Sequence, residues 1–311
     1  MEKEQYLNDP WLIGVWPGMG AVAISAGYYL MAKLGMHMLA EFPASEFFDL
    51  ERVEVKGGLI LTGRLPRSRL FLWQDPQKKH DLIVFIGEAQ PPSKGGAFCT
   101  QLIRHARELG VRRVFTFAAM ATQMRPEHDS QVYGAAIDPQ TLADFKRLDM
   151  KVLEEGQISG LNGVLLGIAA DSGMQGGCLL GEMPHVFSQF PFPKASLAVL
   201  KAFTSLAGVT IDFKELQAQS RQVEKGLEEF LHRLESSVGT PEEGPVAGAD
   251  EAETEKPVLR LAARDKQRLE ALLTAARQDR SRAYELKQEL DRLNVFHEYE
   301  DRFLDLFKEP E

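Results

Sequence analysis

The 311-residue sequence has only two cysteines, Cys99 and Cys178. They make no CxxC pair and no disulfide framework, which points to a reducing compartment. It has no basic excess either. The formal net charge of -9 works against binding a nucleic-acid backbone or an anionic membrane, where clustered lysine and arginine supply the attraction. Arg64, Arg67 and Arg69 cluster around Pro66 and are read as a solvated turn. No apolar run spans a bilayer. The greasiest stretch, residues 21–39, is interrupted by Lys33 and His37 and contains Ser25, Gly27 and Gly35, short of the ~20 apolar residues a span needs. It is read as a buried helix. The opening Met1-Glu2-Lys3-Glu4-Gln5 lacks the basic and apolar regions of a signal peptide, so a cytoplasmic protein is expected.

Catalytic signatures are missing as well. Nothing suitable follows Gly18 and Gly20 to make GxGxxG, and there is no GxxxxGK[ST], so nucleotide binding by either route is unsupported. Ser159 misses the GxSxG elbow by one residue in Gly156-Gln157-Ile158-Ser159-Gly160. Seven histidines are scattered without HxxxH or HExxH spacing, which argues against a zinc site. No metal and no cofactor is expected. One enzymatic alternative stays open: Glu88 and Glu182 both follow buried strands and could meet at a sheet edge as an acid–base pair. That would make the chain a small-molecule hydrolase or a phosphorylase-like enzyme.

What is present is alternation. Residues 11–16 and 81–87 are short, strongly apolar runs, as are residues 111–118, and each reads as a strand buried on both faces. Gly57-Gly58 between residues 52–55 and 59–62 marks a hairpin. Helices are expected over residues 20–34, 96–109, 139–148, 161–170 and 193–206, with Asp138 an N-cap and Gly110 a C-cap. Shorter strands are expected over residues 132–137, 152–153 and 177–181. Strand–helix alternation on this scale implies βαβ crossovers, hence an α/β fold with a mostly parallel sheet in a three-layer α/β/α sandwich.

A further helix starts at Asp212 and carries a stripe of Leu216, Val223, Leu227, Phe230 and Leu234. We expect the α/β domain to occupy residues 1–235. Residues 236–257 hold six acidic residues against one lysine, with three prolines, three glycines and no aromatic, and read as a flexible acidic linker. Residues 258–311 form a charged helical tail. Its seam of Ala283, Leu286, Leu290 and Leu293 is separated by Asp279 and Arg280 from Leu269, Leu272 and Ala276. That favours a helical hairpin docked on the core or on another subunit over a long coiled coil.

In an open parallel sheet, ligands bind where strand ends meet helix N-termini. The unusual residues concentrate there: Trp16, Pro17, Gly18 and Gly20 after the first strand, Glu88 and Gln90 after the central one, then Gly156, Ser159, Gly160 and Asn162, and finally Glu182. Read singly, such loops are turns and caps. Together they are candidate ligand- or partner-binding loops. In order, the strings Gly14-Val15-Trp16-Pro17-Gly18-Met19-Gly20, Gly87-Glu88-Ala89-Gln90-Pro91-Pro92, Val132-Tyr133-Gly134, Gly156-Gln157-Ile158-Ser159-Gly160-Leu161-Asn162-Gly163 and Leu179-Leu180-Gly181-Glu182-Met183-Pro184 resemble the archaeal and bacterial members of the proteasome assembly chaperone two family, over about residues 11–234. The resemblance implies a three-layer fold similar to nucleoside phosphorylases and related hydrolases. It also implies a homo-oligomer and a non-enzymatic chaperone or scaffold role, with proteasome or other protein subunits as partners. Some archaeal relatives dock on proteasomes through a C-terminal hydrophobic-Tyr-any motif. This sequence ends Phe307-Lys308-Glu309-Pro310-Glu311 and departs from it, so a different use of the tail is expected.

Overall fold

The computed structural model describes residues 7–50, 53–237 and 261–308. In chain order the elements are β1 (Trp11–Val15), α1 (Val22–Lys33), β2 (His37–Phe42), β3 (Glu54–Lys56), β4 (Leu59–Leu61), β5 (Ser68–Trp73) and β6 (Leu82–Gly87). They continue with α2 (Gly95–Glu108), β7 (Arg113–Thr122), β8 (Val132–Ala136), α3 (Pro139–Arg147), β9 (Lys151–Val152), α4 (Gly160–Asp171) and β10 (Gln175–Pro184). Five helices close the chain: α5 (Pro193–Ala207), α6 (Lys214–Ser237), α7 (Ala263–Gln278), α8 (Ala283–Arg292) and α9 (Phe296–Leu304). The expected acidic linker lies outside the described residues, except that residues 236–237 end α6.

Eight strands form one sheet in the order β2-β5-β6-β1-β7-β10-β8-β9. Its centre, β6-β1-β7-β10, is parallel, and β5 and β8 join it antiparallel. Of the central strands, β1 and β6 are apolar throughout and β7 and β10 mostly so, because helices cover both faces. Successive side chains alternate between those faces. Trp11, Ile13 and Val15 of β1 join one core with α1, α5 and Phe145 of α3, whereas Leu12 and Trp16 join the other with α2 and α4. The three-layer α/β/α fold is as the alternation predicts. Asp138 caps α3, its carboxylate accepting from the Thr141 N–H at 2.9 Å.

The stretch over residues 21–39, read as one buried helix, is two elements: α1 keeps to the expected residues 20–34, and a strand follows. At Gly35 the backbone turns left-handed (φ +59°), and the Met36 N–H reaches back to the Met31 carbonyl at 3.1 Å. That is a Schellman stop, which a residue lacking Cβ accommodates at little cost. The chain then leaves as β2, which pairs antiparallel with β5 at the sheet edge.

The helix α1 is buried on nearly every side, from Val22 through Ala32. A helix apolar all round needs cover on its outer face, and the C-terminal segment supplies it. Tyr284 of α8 stands edge-on to Tyr29 at 4.5 Å between ring centroids, and Phe296 and Phe303 pack on Tyr28 at 5.3 and 5.5 Å. Phe307 reaches the sheet itself at Phe71. The break at residues 279–282 is where the tail turns: Asp279 accepts from the Ser281 N–H, and Arg280 donates to the Leu306 and Lys308 carbonyls. The helical tail therefore docks on the core of its own chain.

Phe303 is fully buried among Tyr28, Phe296 and Phe307. Phe303→Ala is expected to cost about 3–5 kcal/mol, as large aromatic truncations in packed cores do. Urea unfolding of the full-length chain checks this; a loss below ~1 kcal/mol would mean that the tail contributes little to the core.

Candidate functional site

The strand-end loops do converge. Gln90, after β6, is the hub: its amide nitrogen donates to the Pro17 carbonyl at 3.2 Å, and its oxygen accepts from the Leu161 N–H at 3.0 Å. That second bond satisfies one of the free N–H groups at the start of α4; the side chain of Ser159, at the N-cap, caps none of them. A Cβ on Gly160 would sit 2.8 Å from the Gln90 oxygen, so the loops touch with no room between them. Thr116 of β7 donates to the Asn162 carbonyl at 3.2 Å. On the other side, the Gly20 N–H donates to Ser188, and its carbonyl accepts from Phe192, both at 2.9 Å. Gln90, Pro17, Gly160 and Asn162 thus form one cluster, and Gly20 belongs to a second one beside β10.

Trp16 is a core residue. It is wholly buried, against Phe85 and Phe98. Pro17, Gly18, Gly156, Ser159 and Gly160 are exposed. Beside them stand apolar side chains that sequence reasoning did not single out: Met19, Val186 and Phe190, which are 44%, 57% and 55% exposed. Only the fold reveals this grouping, since the backbone bonds of Gly20 are what bring residues 186–190 to the first loop.

The two glutamates are held apart. Two strands, β1 and β7, lie between β6 and β10, and three inter-strand steps make roughly 14 Å. Strand alternation also places them on opposite faces. Glu88 has the parity of Val84 and Ile86, which lie in the core under α1. Glu182 has the parity of Cys178 and Leu180, in the core under α2 and α4. Glu182 lies within β10, which runs on to Pro184, so the strand is longer than the expected residues 177–181. Its carboxylate accepts from the Thr122 hydroxyl at 2.8 Å and from the Gln131 N–H at 3.3 Å.

Glu88 sits in a different environment. Its carboxylate accepts from Arg64 at 2.6 Å, from Arg69 at 3.3 Å and from the Arg67 N–H at 2.9 Å. The three arginines are thus no solvated turn. Arg69 is 1% exposed, because β5 carries it onto the face that the tail covers, and it pairs there with Asp301 of α9. Arg67 bridges Asp301 and Glu41. Burial alone would raise the Asp301 carboxyl, but the hydrogen bond from Arg69 and the charges of Arg64, Arg69 and Arg67 hold it below the usual carboxylate range. Next to this network Tyr28 donates to Glu300 at 2.7 Å. Burial, with Glu300 alongside, pushes the Tyr28 phenol well up, so it remains a donor.

Other reactive groups are equally tied down. Burial pushes the Cys99 and Cys178 thiols up to about 12, far from a reactive thiolate. Among the described residues no group of three or more His, Cys, Asp or Glu could hold a metal ion, and no helix is long and apolar enough to cross a membrane.

A three-layer domain whose strand-end loops are bonded to one another is the class this geometry defines. The model of the PAC2 family matches residues 12–231, most of the chain, and the chain belongs to that family. Among solved structures it is similar to PbaB of Pyrococcus furiosus, described as an archaeal proteasome activator. The two are 25% identical with a TM-score of 0.62, over 75% of this chain and 96% of that one. A PAC2 family protein from Streptomyces avermitilis is also 25% identical, with a TM-score of 0.60, over 71% of this chain and 95% of that one. The proteasome-assembly chaperone homologue of Mycobacterium tuberculosis shares the fold at 20% identity and a TM-score of 0.61, over 71% and 94%. An uncharacterized protein of Methanocaldococcus jannaschii is 25% identical over 73% of this chain and 84% of its own length.

If Glu88 and Glu182 act independently, Glu88→Gln and Glu182→Gln should be additive in a double-mutant cycle of urea stability, to within about 0.5 kcal/mol. Glu88→Gln alone should be the costlier change, since it leaves the buried Arg69 short of a partner. A coupling above ~1 kcal/mol would show that the two carboxylates share a site after all.

Proposed function

We propose that this chain is a non-enzymatic assembly chaperone or scaffold, acting in the cytoplasm as a homo-oligomer. Its partners are protein subunits, those of the proteasome among them. The reading rests on membership of the PAC2 family and on likeness to proteins described as a proteasome activator and as an archaeal homolog of a proteasome-assembly chaperone. One observation carries it at the level of this molecule. Gln90 commits both ends of its amide to tying the first loop to the start of α4, while Met19, Val186 and Phe190 stand exposed at the same edge. A site built for a small polar substrate presents converging, uncommitted polar groups. A rim of exposed apolar side chains suits a protein surface instead.

Met19→Glu and Phe190→Glu, each at an exposed position, should leave the fold intact and weaken binding to proteasome subunits of the same organism by about tenfold or more. Biolayer interferometry with the full-length chain measures this. Absence of wild-type binding would overturn the proteasome assignment. Unchanged binding by both variants would move the docking edge elsewhere.

A further inference from the structure

The segment between β10 and α5 presents one large apolar side chain on a short, closed loop. Phe187 and Phe192 are buried and fix the two ends of the loop. Between them Gln189, Phe190 and Pro191 are all exposed. Gly20 closes the loop from outside it. Its N–H donates to the Ser188 carbonyl, and its carbonyl accepts from the Phe192 N–H, both at 2.9 Å. The residues it bridges lie two positions on either side of Phe190, which is therefore the tip. Inside the loop the Phe190 N–H donates to the Phe187 carbonyl at 2.9 Å, and the Phe190 ring stands edge-on to Phe187 at 6.2 Å between centroids. Pro191 and Pro193 have fixed φ, and each restricts the residue before it. Phe190 thus has few backbone states left to lose.

The clamp depends on the residue that supplies it. Gly20 is buried with φ +60°, a conformation that favours glycine, and a Cβ there would lie 2.5 Å from the Met183 sulfur. Ala21 is left-handed too, at φ +50°. A residue with a Cβ adopts that conformation only where its surroundings over-determine the backbone. Met19 directly precedes Gly20, so the same two bonds fix the backbone that carries both exposed apolar side chains. No residue from Val186 to Pro193 is charged, in a chain of net charge -9. An exposed aromatic on a pre-ordered, uncharged loop has the form of a binding anchor. Its ordering cost is met in folding, and it delivers a large apolar area with few torsions to fix. The surface it fits is an uncharged apolar pocket on a protein, since a charge opposite the ring would be desolvated without a partner.

We infer that Phe190 is the anchor of the docking edge and that Gly20 and Pro191 are its positioning residues. This rests on the function proposed above, and names the side chain that enters the partner and the groups that hold it. Gly20 is buried and cannot touch a partner, so any effect it has on binding acts through the loop. In the full-length chain Phe190→Ala should weaken binding to proteasome subunits of the same organism about 30-fold, as an anchor residue does. Gly20→Ala and Pro191→Gly keep Met19 and Phe190. Each should nonetheless weaken binding about tenfold, mainly through faster dissociation, with an unchanged far-UV spectrum. Hydrogen exchange gives a readout that needs no partner. The Gly20 and Phe192 amides should be protected in the wild type and exchange about tenfold faster or more in both variants. Should Gly20→Ala fail to fold, Pro191→Gly decides alone. A wild type that does not bind would overturn the proteasome assignment and the anchor with it. Wild-type binding that Phe190→Ala leaves unchanged would overturn the anchor while the assignment stands. Loop amides that exchange faster in a variant that binds as tightly as the wild type would overturn the positioning roles.

Discussion

The helix α1 is the constraint on which the other layers depend. It carries apolar side chains around most of its circumference, so the sheet can cover only one side of it. The other side needs a second layer, which the chain provides from its C-terminal end: Tyr284, Phe296 and Phe303 close over Tyr28 and Tyr29. The family model stops at residue 231, 80 residues before the end of the 311-residue chain (311 − 231). The tail therefore lies beyond the matched residues, and yet is part of the hydrophobic core of this chain. Its helices α8 and α9, of 10 and 9 residues, are short for independent stability. They hold their place by burial against α1 and by ion pairs at the sheet edge.

Those ion pairs explain why the tail lands where it does. Arg69 and the Glu88 carboxylate are both almost fully buried, and Asp301 from α9 shares Arg69 with Glu88. Buried charges contribute little net stability against the cost of removing them from water, but an unpaired one is costly. A tail shifted by one helical turn would leave Arg69 short of a partner. The network thus selects one register of α9 on β5, while the aromatic contacts supply most of the attraction. The same arrangement takes Glu88 away from any part in acid–base chemistry with Glu182 on the far face of the sheet.

The layer order was legible because the central strands are continuous apolar runs and the helices between them have amphipathic or capped signatures. Asp138, Gly110 and the Gly57-Gly58 turn behave as their local chemistry dictates. The sheet edge was not legible. The end of the first helix near residue 34 was legible, but residues 37–39 look like a continuation of its greasy segment and not like the start of β2. Arg69 resembles a surface charge in the sequence, since its partners Glu88 and Asp301 lie 19 and 232 residues away, and no local pattern encodes such a contact. The candidate loops were located by their glycines and by family resemblance. That Gln90 would bond two of them together, and that Met19 and Phe190 would become neighbours, depended on tertiary placement alone.

With the tail fixed on α1 and Gln90 committed between two loops, the exposed apolar side chains include the rim at the strand ends and the bare β3–β4 arm. Everything turns on the tail being an integral part of the core around α1. Native-state hydrogen exchange of the full-length chain tests that most directly, because amides within one cooperative unit open together. The amides of α8 and α9 should exchange as slowly as those of α1, and all three should accelerate together as urea is added. Tail amides that exchange orders of magnitude faster than α1, with α1 still protected, would contradict the account.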